Sequence, residues 1–396
     1  MTGRRAFAAA KPITPDGGAA QGRIGAIKGE TPVKRSALAW SLAWVVASGT
    51  ASAQALPPGY PADYQAIVSA AEQEGSVGVY STTDSASADA LLKDFRALYP
   101  RLQVKYYDLN STEVYNRYLS ETAANAETAD VLWSGSMDLQ LKLVADGRAL
   151  TYRSPEAAKM PTWAVHEDRA WGTTFEPLVM AYNKRLLPAD AVPRSHGDLL
   201  RLLREKPQLF AGKLTTYDPE KSGFAFMLMT QDEKYFPQFW ELAAAFGHGI
   251  GRFYPSSGTM IERITSGEHW LGFNVIGSYV VLRQGKDPDL GLIYPDDYVL
   301  VMSRVAFIPK NARRPNAGKL FLDYLLSARA QTIMANRATL FSLREDVAGP
   351  HSAAALGKEL GARLKPIPAD MSLLAALAPG KRLPMIRKWQ ETARAQ

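Results

Sequence analysis

Apolar residues alternate between short runs and helical stripes along most of this chain. Residues 64–74 predict a helix stopped by Gly75, and residues 77–80 a short strand. Leu91, Leu92, Phe95 and Leu98 mark one face of the next helix, which Pro100 ends. A strand over 102–107 and a helix over 111–122, capped by Ser111 or Thr112, follow. Val131-Leu132-Trp133 is a third strand, and a helix through Leu139, Leu143 and Val144 stops at Gly147. After a strand-like run, Leu178-Val179-Met180-Ala181-Tyr182, a second block repeats the alternation. It reads as helix 197–204, strand 213–217, helices 223–230, 237–246 and 258–266, and strand 271–275. The run 299–308 reads as a further strand and 316–327 as a helix. Residues 384–394 predict a last helix with Pro384 in its first turn. Such alternation predicts an α/β fold with a mostly parallel sheet covered on both faces.

A different pattern stands upstream. Lys34 and Arg35 precede an apolar stretch through Leu38, Trp40, Leu42, Trp44, Val45 and Val46, ending in Ala51-Ser52-Ala53. A charged end, a short apolar core and a small-residue Ala-x-Ala site predict a secretory signal peptide within 34–53, cleaved before Gln54. The core is too short for a membrane anchor, which needs about 20 residues. Residues 1–33 are polar and do not fit a leader, so Val33 is a candidate start codon and 1–53 is set apart from the mature chain.

Charge then loses its apparent meaning. The formal net charge is +7, but residues 1–53 hold seven Lys/Arg and two Asp/Glu, leaving 39 basic against 37 acidic residues. A near-neutral mature chain gives no argument for nucleic acid binding. With no cysteine there is no disulfide, no thiolate metal site and no lipid-modified cysteine, so a soluble periplasmic product rather than a lipoprotein is expected. About 340 mature residues predict two domains.

The common catalytic signatures are missing. The five histidines lack zinc-binding spacing, and no Gly-x-Ser-x-Gly elbow or phosphate-binding P-loop occurs. Gly247-His248-Gly249-Ile250-Gly251 follows a predicted helix, so it reads as a glycine stop rather than a dinucleotide fingerprint. The chain therefore leans toward binding rather than turnover, with no cofactor.

Hydroxyl residues instead gather at predicted strand ends. Ser81-Thr82-Thr83, Ser134-Gly135-Ser136, Ser222-Gly223 and Ser256-Ser257-Gly258-Thr259 each precede a helix. Helix N-termini offer unpaired N–H groups and partial positive charge, and in open α/β sheets ligands sit at these strand ends. Ordinary capping explains any one loop; four together suggest a shared anion cleft. Lys221 precedes Ser222, and Arg304 lies inside an apolar run, where it serves either a structural ion pair or an oxyanion clamp. Tyr217, Tyr279, Trp133 and Trp171 are candidates for lining the cleft.

From about Gly75 to Leu343 the chain resembles the periplasmic solute-binding proteins of ABC importers, in the ferric-iron and sugar-phosphate branch. Val77-Gly78-Val79-Tyr80-Ser81, Ala129-Asp130-Val131-Leu132-Trp133-Ser134, Thr216-Tyr217-Asp218-Pro219-Glu220-Lys221-Ser222-Gly223 and Ala306-Phe307-Ile308-Pro309-Lys310 carry the likeness. The resemblance implies a type II periplasmic binding protein: two lobes, two hinge-crossing strands near 174–180 and 301–306, and a central ligand cleft. It implies one lobe from 54–175 plus about 304–345, and the other from 176–303 plus about 346–396. Ser222, Gly223 and Phe224 would offer backbone N–H groups to an anion, Ser136 with Ser256 or Ser257 would complete the pocket, and Ser81, Thr82, Thr83 and Asp84 would face it. Ser134, Thr174, Tyr217, Lys221, Asn274, Tyr279 and Arg304 complete the candidate ligand-binding set.

Iron-binding members carry adjacent tyrosines where this chain has Gly277-Ser278-Tyr279-Val280, with one. No metal is therefore assigned, and a phosphate ester, phosphonate or polycarboxylate suits the donors better. The expected partner is an ABC permease in the inner membrane, served by a monomer. Rival readings are ferric transport, ligand sensing for a histidine kinase, and hydrolysis with Asp84 or Glu176 as acid/base.

Overall fold

The computed structural model describes residues 60–393 apart from 339; the expected leader, 1–53, lies outside them. The first block is α1 (Tyr64–Glu74), β1 (Ser76–Ser81), α2 (Ser85–Leu98), β2 (Gln103–Asp108), α3 (Ser111–Ala123), β3 (Val131–Ser134), α4 (Met137–Ala145), β4 (Val165–His166), β5 (Ala170–Gly172) and β6 (Glu176–Asn183). The second is α5 (His196–Glu205), α6 (Pro207–Phe210), β7 (Leu214–Tyr217), α7 (Gly223–Tyr235), α8 (Phe239–Gly249), β8 (Ile250–Tyr254), α9 (Ser257–Thr265), β9 (Leu271–Ile276), α10 (Gly277–Gln284) and β10 (Leu290–Ile293). The chain closes with β11 (Val299–Met302), β12 (Val305–Phe307), α11 (Pro315–Leu326), α12 (Ala328–Ile333), α13 (Ala353–Leu360), β13 (Leu364–Pro366) and α14 (Pro379–Ala393).

Two mixed sheets result, in the orders β2-β1-β3-β12-β5-β4 and β13-β11-β6-β9-β7-β8, with β10 also on β6. The units built from α/β crossovers pair in parallel: β1 with β2 and β3, and β7 with β8 and β9. Antiparallel pairs enter where the chain passes between sheets, as β12 joins β3 and β11 joins β6. The apolar run 299–308 is thus two strands in two sheets, not one. It breaks at Ser303-Arg304, beside the other crossing at Thr173-Thr174. Thr173 N–H donates to Arg304 O (2.9 Å), Arg304 N–H to Thr174 Oγ1 (3.0 Å) and Thr174 N–H to Ser303 Oγ (3.2 Å). The crossings therefore brace each other, and together they form a two-stranded hinge between two lobes.

Local chemistry explains other departures. Asn110, not Ser111 or Thr112, caps α3, because its side chain and that of Glu113 form a reciprocal capping box. Residues 247–251 contain no left-handed stop; instead a Cβ on Gly251 would stand 2.3 Å from Gly212 O, so glycine there permits a close backbone approach. The last helix begins at Pro379 and holds Pro384 inside it, since the earlier proline already occupies the first helical turn.

The first lobe packs α1 against α11. Tyr64 and Tyr152 hydroxyls both donate to Asp323 Oδ2 there, at 2.7 and 2.6 Å. Burial pushes the Asp323 carboxyl up to about 7, although these donors pull it the other way.

The C-terminal segment touches both lobes. A 3-10 turn at Met371–Leu377 packs on α4 and α7, and α14 packs on α8. Arg382 lies over the Phe226 ring at 4.4 Å, and Trp389 meets Phe253 edge-on at 5.7 Å.

Candidate functional site

Strand ends from both sheets converge on a cavity of about 240 Å³. The loop after β1 brings Thr82 and Asp84, the loop after β2 brings Asp108, Asn110, Ser111 and Glu113, and the loop after β3 brings Gly135 and Ser136. Facing them are Tyr217 and Ser222 before α7, Ser256 and Ser257 before α9, and Ile276 and Tyr279 around the start of α10. Met302 and Arg304 reach in from the hinge. The arrangement follows from chain direction: carboxyl ends of strands feed helix N-termini, which all point inward.

The lobes touch around this cavity. Asp84 N–H donates to the Tyr279 hydroxyl (3.0 Å), Thr112 Oγ1 to Lys221 O (3.2 Å) and Phe224 N–H to Ser111 Oγ (3.5 Å). A Cβ on Gly223 would stand 2.6 Å from Leu139 Cδ1 and 3.1 Å from Ser136 Oγ, so a larger residue would make Leu139 and Ser136 give way in this closed seam.

Arg304 is the charged centre. It is 1% exposed, over the Tyr279 ring at 5.2 Å, with Nε 3.4 Å from Glu176 Oε1 and Nη1 3.3 Å from Thr82 O. Nη2 has no hydrogen-bond partner. Burial pulls the guanidinium pKa down, but nearby Tyr279, Glu176 and Asp84 outweigh it, and Arg304 stays charged. Glu176 is buried and its carboxyl is pushed up by that burial, against the pull of Arg304. Of the two readings left open by the sequence, the structure shows the ion pair with Glu176.

Other candidates divide by position. Thr82, Asp84, Ser136, Tyr217, Ser222, Phe224, Ser256, Ser257, Tyr279 and Arg304 line the cavity. Ser222 and Ser256 also cap α7 and α9, accepting from Ala225 and Thr259 N–H. Ser257 ties the Tyr217 hydroxyl (2.5 Å) to Ile276 N–H (2.9 Å). Burial pushes both the Tyr217 and Tyr279 phenols above their ordinary values. Ser136 donates to Asp138, whose carboxyl burial pushes up to about 6.

The rest do not line it. Ser81 accepts from Thr83 N–H and Ser134 from Ser136 N–H, so these hydroxyls shape their own loops. Thr83 is buried, and Thr174 serves the hinge. The Lys221 side chain is exposed and lies 3.8 Å from Asp218, at the outer rim. Asn274 has φ +58 and turns its amide to the buried Asp232 carboxylate inside the second lobe. Trp133 and Trp171 are core residues, with Trp133 Nε1 donating to Thr173. The sequence reading missed Asp108 and Glu113. The signal was available, since both flank the predicted junction of strand and helix near residue 110.

The profile of a family described as bacterial extracellular solute-binding protein matches residues 90–357. Among solved structures, the substrate binding protein of an ABC transporter from Agrobacterium tumefaciens is 33% identical, with a TM-score of 0.77 over 81% of this chain and 94% of that one. Periplasmic binding protein AfuA from Actinobacillus pleuropneumoniae, with fructose-6-phosphate bound, is 19% identical, with a TM-score of 0.68 over 82% and 100%. Apo ferric ion-binding protein A from Pasteurella haemolytica is 17% identical, with a TM-score of 0.63 over 81% and 99%. The last two are likenesses of fold alone. No curated protein sequence matches the chain.

Proposed function

Because the chain belongs to the bacterial extracellular solute-binding protein family, we propose that it captures a small organic anion between its lobes for an ABC importer. Members of this family serve transport rather than catalysis, working outside the cytoplasm with a permease. Among the described residues no helix is long and apolar enough to cross a membrane. Export through a leader within 34–53, and lobes of 54–175 plus 304–345 and 176–303 plus 346–396, belong to the same proposal.

The observation that carries the anion reading is Arg304, a buried guanidinium that lines the cavity and whose Nη2 has no hydrogen-bond partner. A buried unpaired donor costs about 1–3 kcal/mol or more, which a bound oxyanion would recover. Tyr279 and Ser136 hydroxyls and the N-termini of α7 and α9 surround the same space.

Calorimetric titration of the mature protein with phosphate monoesters, phosphonates, polycarboxylates and ferric ion tests the proposal. Heat of binding from at least one oxyanion class is expected. Ferric binding with silence from every oxyanion would overturn it.

A further inference from the structure

The hydroxyls around the cavity do not all point the same way. Thr82 Oγ1 accepts from Gly135 N–H (2.9 Å), Ser222 Oγ from Ala225 N–H (3.2 Å) and the Tyr279 hydroxyl from Asp84 N–H (3.0 Å). Each spends a lone pair on the backbone and keeps its hydrogen to give, as an anion requires. Ser136 is reversed. It stands at the N-cap of α4 but caps nothing, and its Oγ–H goes to Asp138 Oδ1 (2.9 Å). An ionised carboxylate only accepts, so the direction of this bond is fixed.

We propose that Asp138 is a positioning residue of the binding site: by holding the Ser136 hydrogen it makes Ser136 an acceptor, so the site selects an anion that also carries a hydroxyl over the same anion without one. This rests on the anion reading above and adds a second point of recognition, which Arg304 does not supply. Three observations support it. Ser136 lines the cavity. Its Oγ stands on the seam, 3.1 Å from the place of a Cβ on Gly223, so the shut lobes bury its lone pairs. Asp138 is itself buried, and the same Oδ1 accepts from Leu139 N–H (2.8 Å), which keeps the carboxylate from swinging away. A buried acceptor left empty is costly, and a site built to bond a ligand hydroxyl rejects the analogue that lacks it.

The surroundings of Asp138 make the preference sensitive to pH. Burial pushes its carboxyl up to about 6, against the pull of Ser136, Leu139 N–H and Arg382 of α14. Lys142, one turn along α4, is paired with Asp146. The strands β3, β5 and β12 and the turn at Met371–Leu377, which pack on α4, carry no titratable side chain. Those of α7 begin at Asp232, in its last turn. Asp138 is therefore ionised at about pH 8 and largely protonated at about pH 5, where a neutral carboxyl grips the Ser136 hydrogen less and can donate in its place.

Calorimetry with matched probes tests the role: glycerol phosphate against propyl phosphate, hydroxyethylphosphonate against propylphosphonate, and malate against succinate, in wild type, Ser136→Ala and Asp138→Ala. In wild type at about pH 8 the hydroxylated member of at least one pair should bind about fivefold tighter or more, the worth of one hydrogen bond. Ser136→Ala should bring that ratio near one. Asp138→Ala should do the same while tightening the plain member, since the freed hydroxyl can turn and donate; damage to the lobe would weaken both members alike. The wild-type ratio should also shrink from pH 8 to pH 5 and stay flat in Asp138→Ala, a profile that sets aside titration of the probes themselves. Equal binding within every pair, a ratio that survives either variant, or a wild-type ratio flat with pH overturns the role of Asp138 and leaves the anion reading standing. Silence from all six probes also overturns it, and silence from the rest of the oxyanion panel as well overturns both.

Discussion

Removing the guanidinium at position 304 separates its structural task from its binding task. Arg304 and Glu176 are both essentially without solvent contact, and their Nε–Oε1 separation is 3.4 Å. In Arg304→Met, Glu176 loses its counter-charge inside the hinge, and breaking a buried pair costs about 3–5 kcal/mol. Adding Glu176→Gln removes the stranded charge. The double variant should regain most of that loss, because replacing both partners of a buried pair is often close to neutral. Affinity should behave otherwise. A hydrogen bond to a charged group is worth about 1.5–3 kcal/mol, or roughly 10- to 100-fold, and the double variant still lacks Nη2. Urea denaturation would measure the first effect and calorimetry with a phosphate monoester the second. A double variant with restored stability that binds the probe within threefold of wild type would show that Arg304 only supports the hinge.

Three further outcomes follow from packing and titration. Gly223→Ala should weaken anion binding at least tenfold, because the methyl meets Leu139 and Ser136 only when the lobes close; a shift in unliganded stability larger than about 0.5 kcal/mol would contradict a purely closing defect. Asn110→Ala should cost about 1 kcal/mol in urea unfolding through loss of the α3 capping box, and no change would show that Glu113 and water replace it. Asp323 titrates near 7 when folded and near 3.9 unfolded, so the folded state holds this proton more tightly. Its contribution is therefore fully present below about pH 4 and lost as pH rises through 7, on the order of 4 kcal/mol at most. Asp323→Asn, which keeps an acceptor for Tyr64 and Tyr152, should match wild type near pH 4 and exceed it at pH 8; parallel profiles would refute the shift.

Elements with clean periodicity were legible from the chain. Val68 and Ala71 on α1, or Leu91 and Phe95 on α2, bury one face as their spacing requires. The hinge crossing was not visible in the run 299–308, because both strands are buried on both sides and read as one apolar stretch. Only the charge of Arg304 marked the break. Asn274 misled because side-chain direction within a strand depends on its backbone, and φ +58 there turns the amide away from the cavity. The loop hydroxyls drew attention to donors, while two acidic residues went unseen: Asp108 reads as the end of a strand and Glu113 as part of a helix until folding places both at the edge of the same cavity.

The C-terminal segment has a bearing on how this molecule lets go of its cargo. With one foothold on α4 and another on α8, residues 371–393 are placed to act as a latch over the shut form. Parting the lobes would have to break the shorter foothold, so the energy of that contact would favour the shut form without touching the ligand. A purification tag or fluorescent reporter joined beyond α14 would sit beside that latch and report its release, or impede it, whereas one joined ahead of α1 would leave it alone.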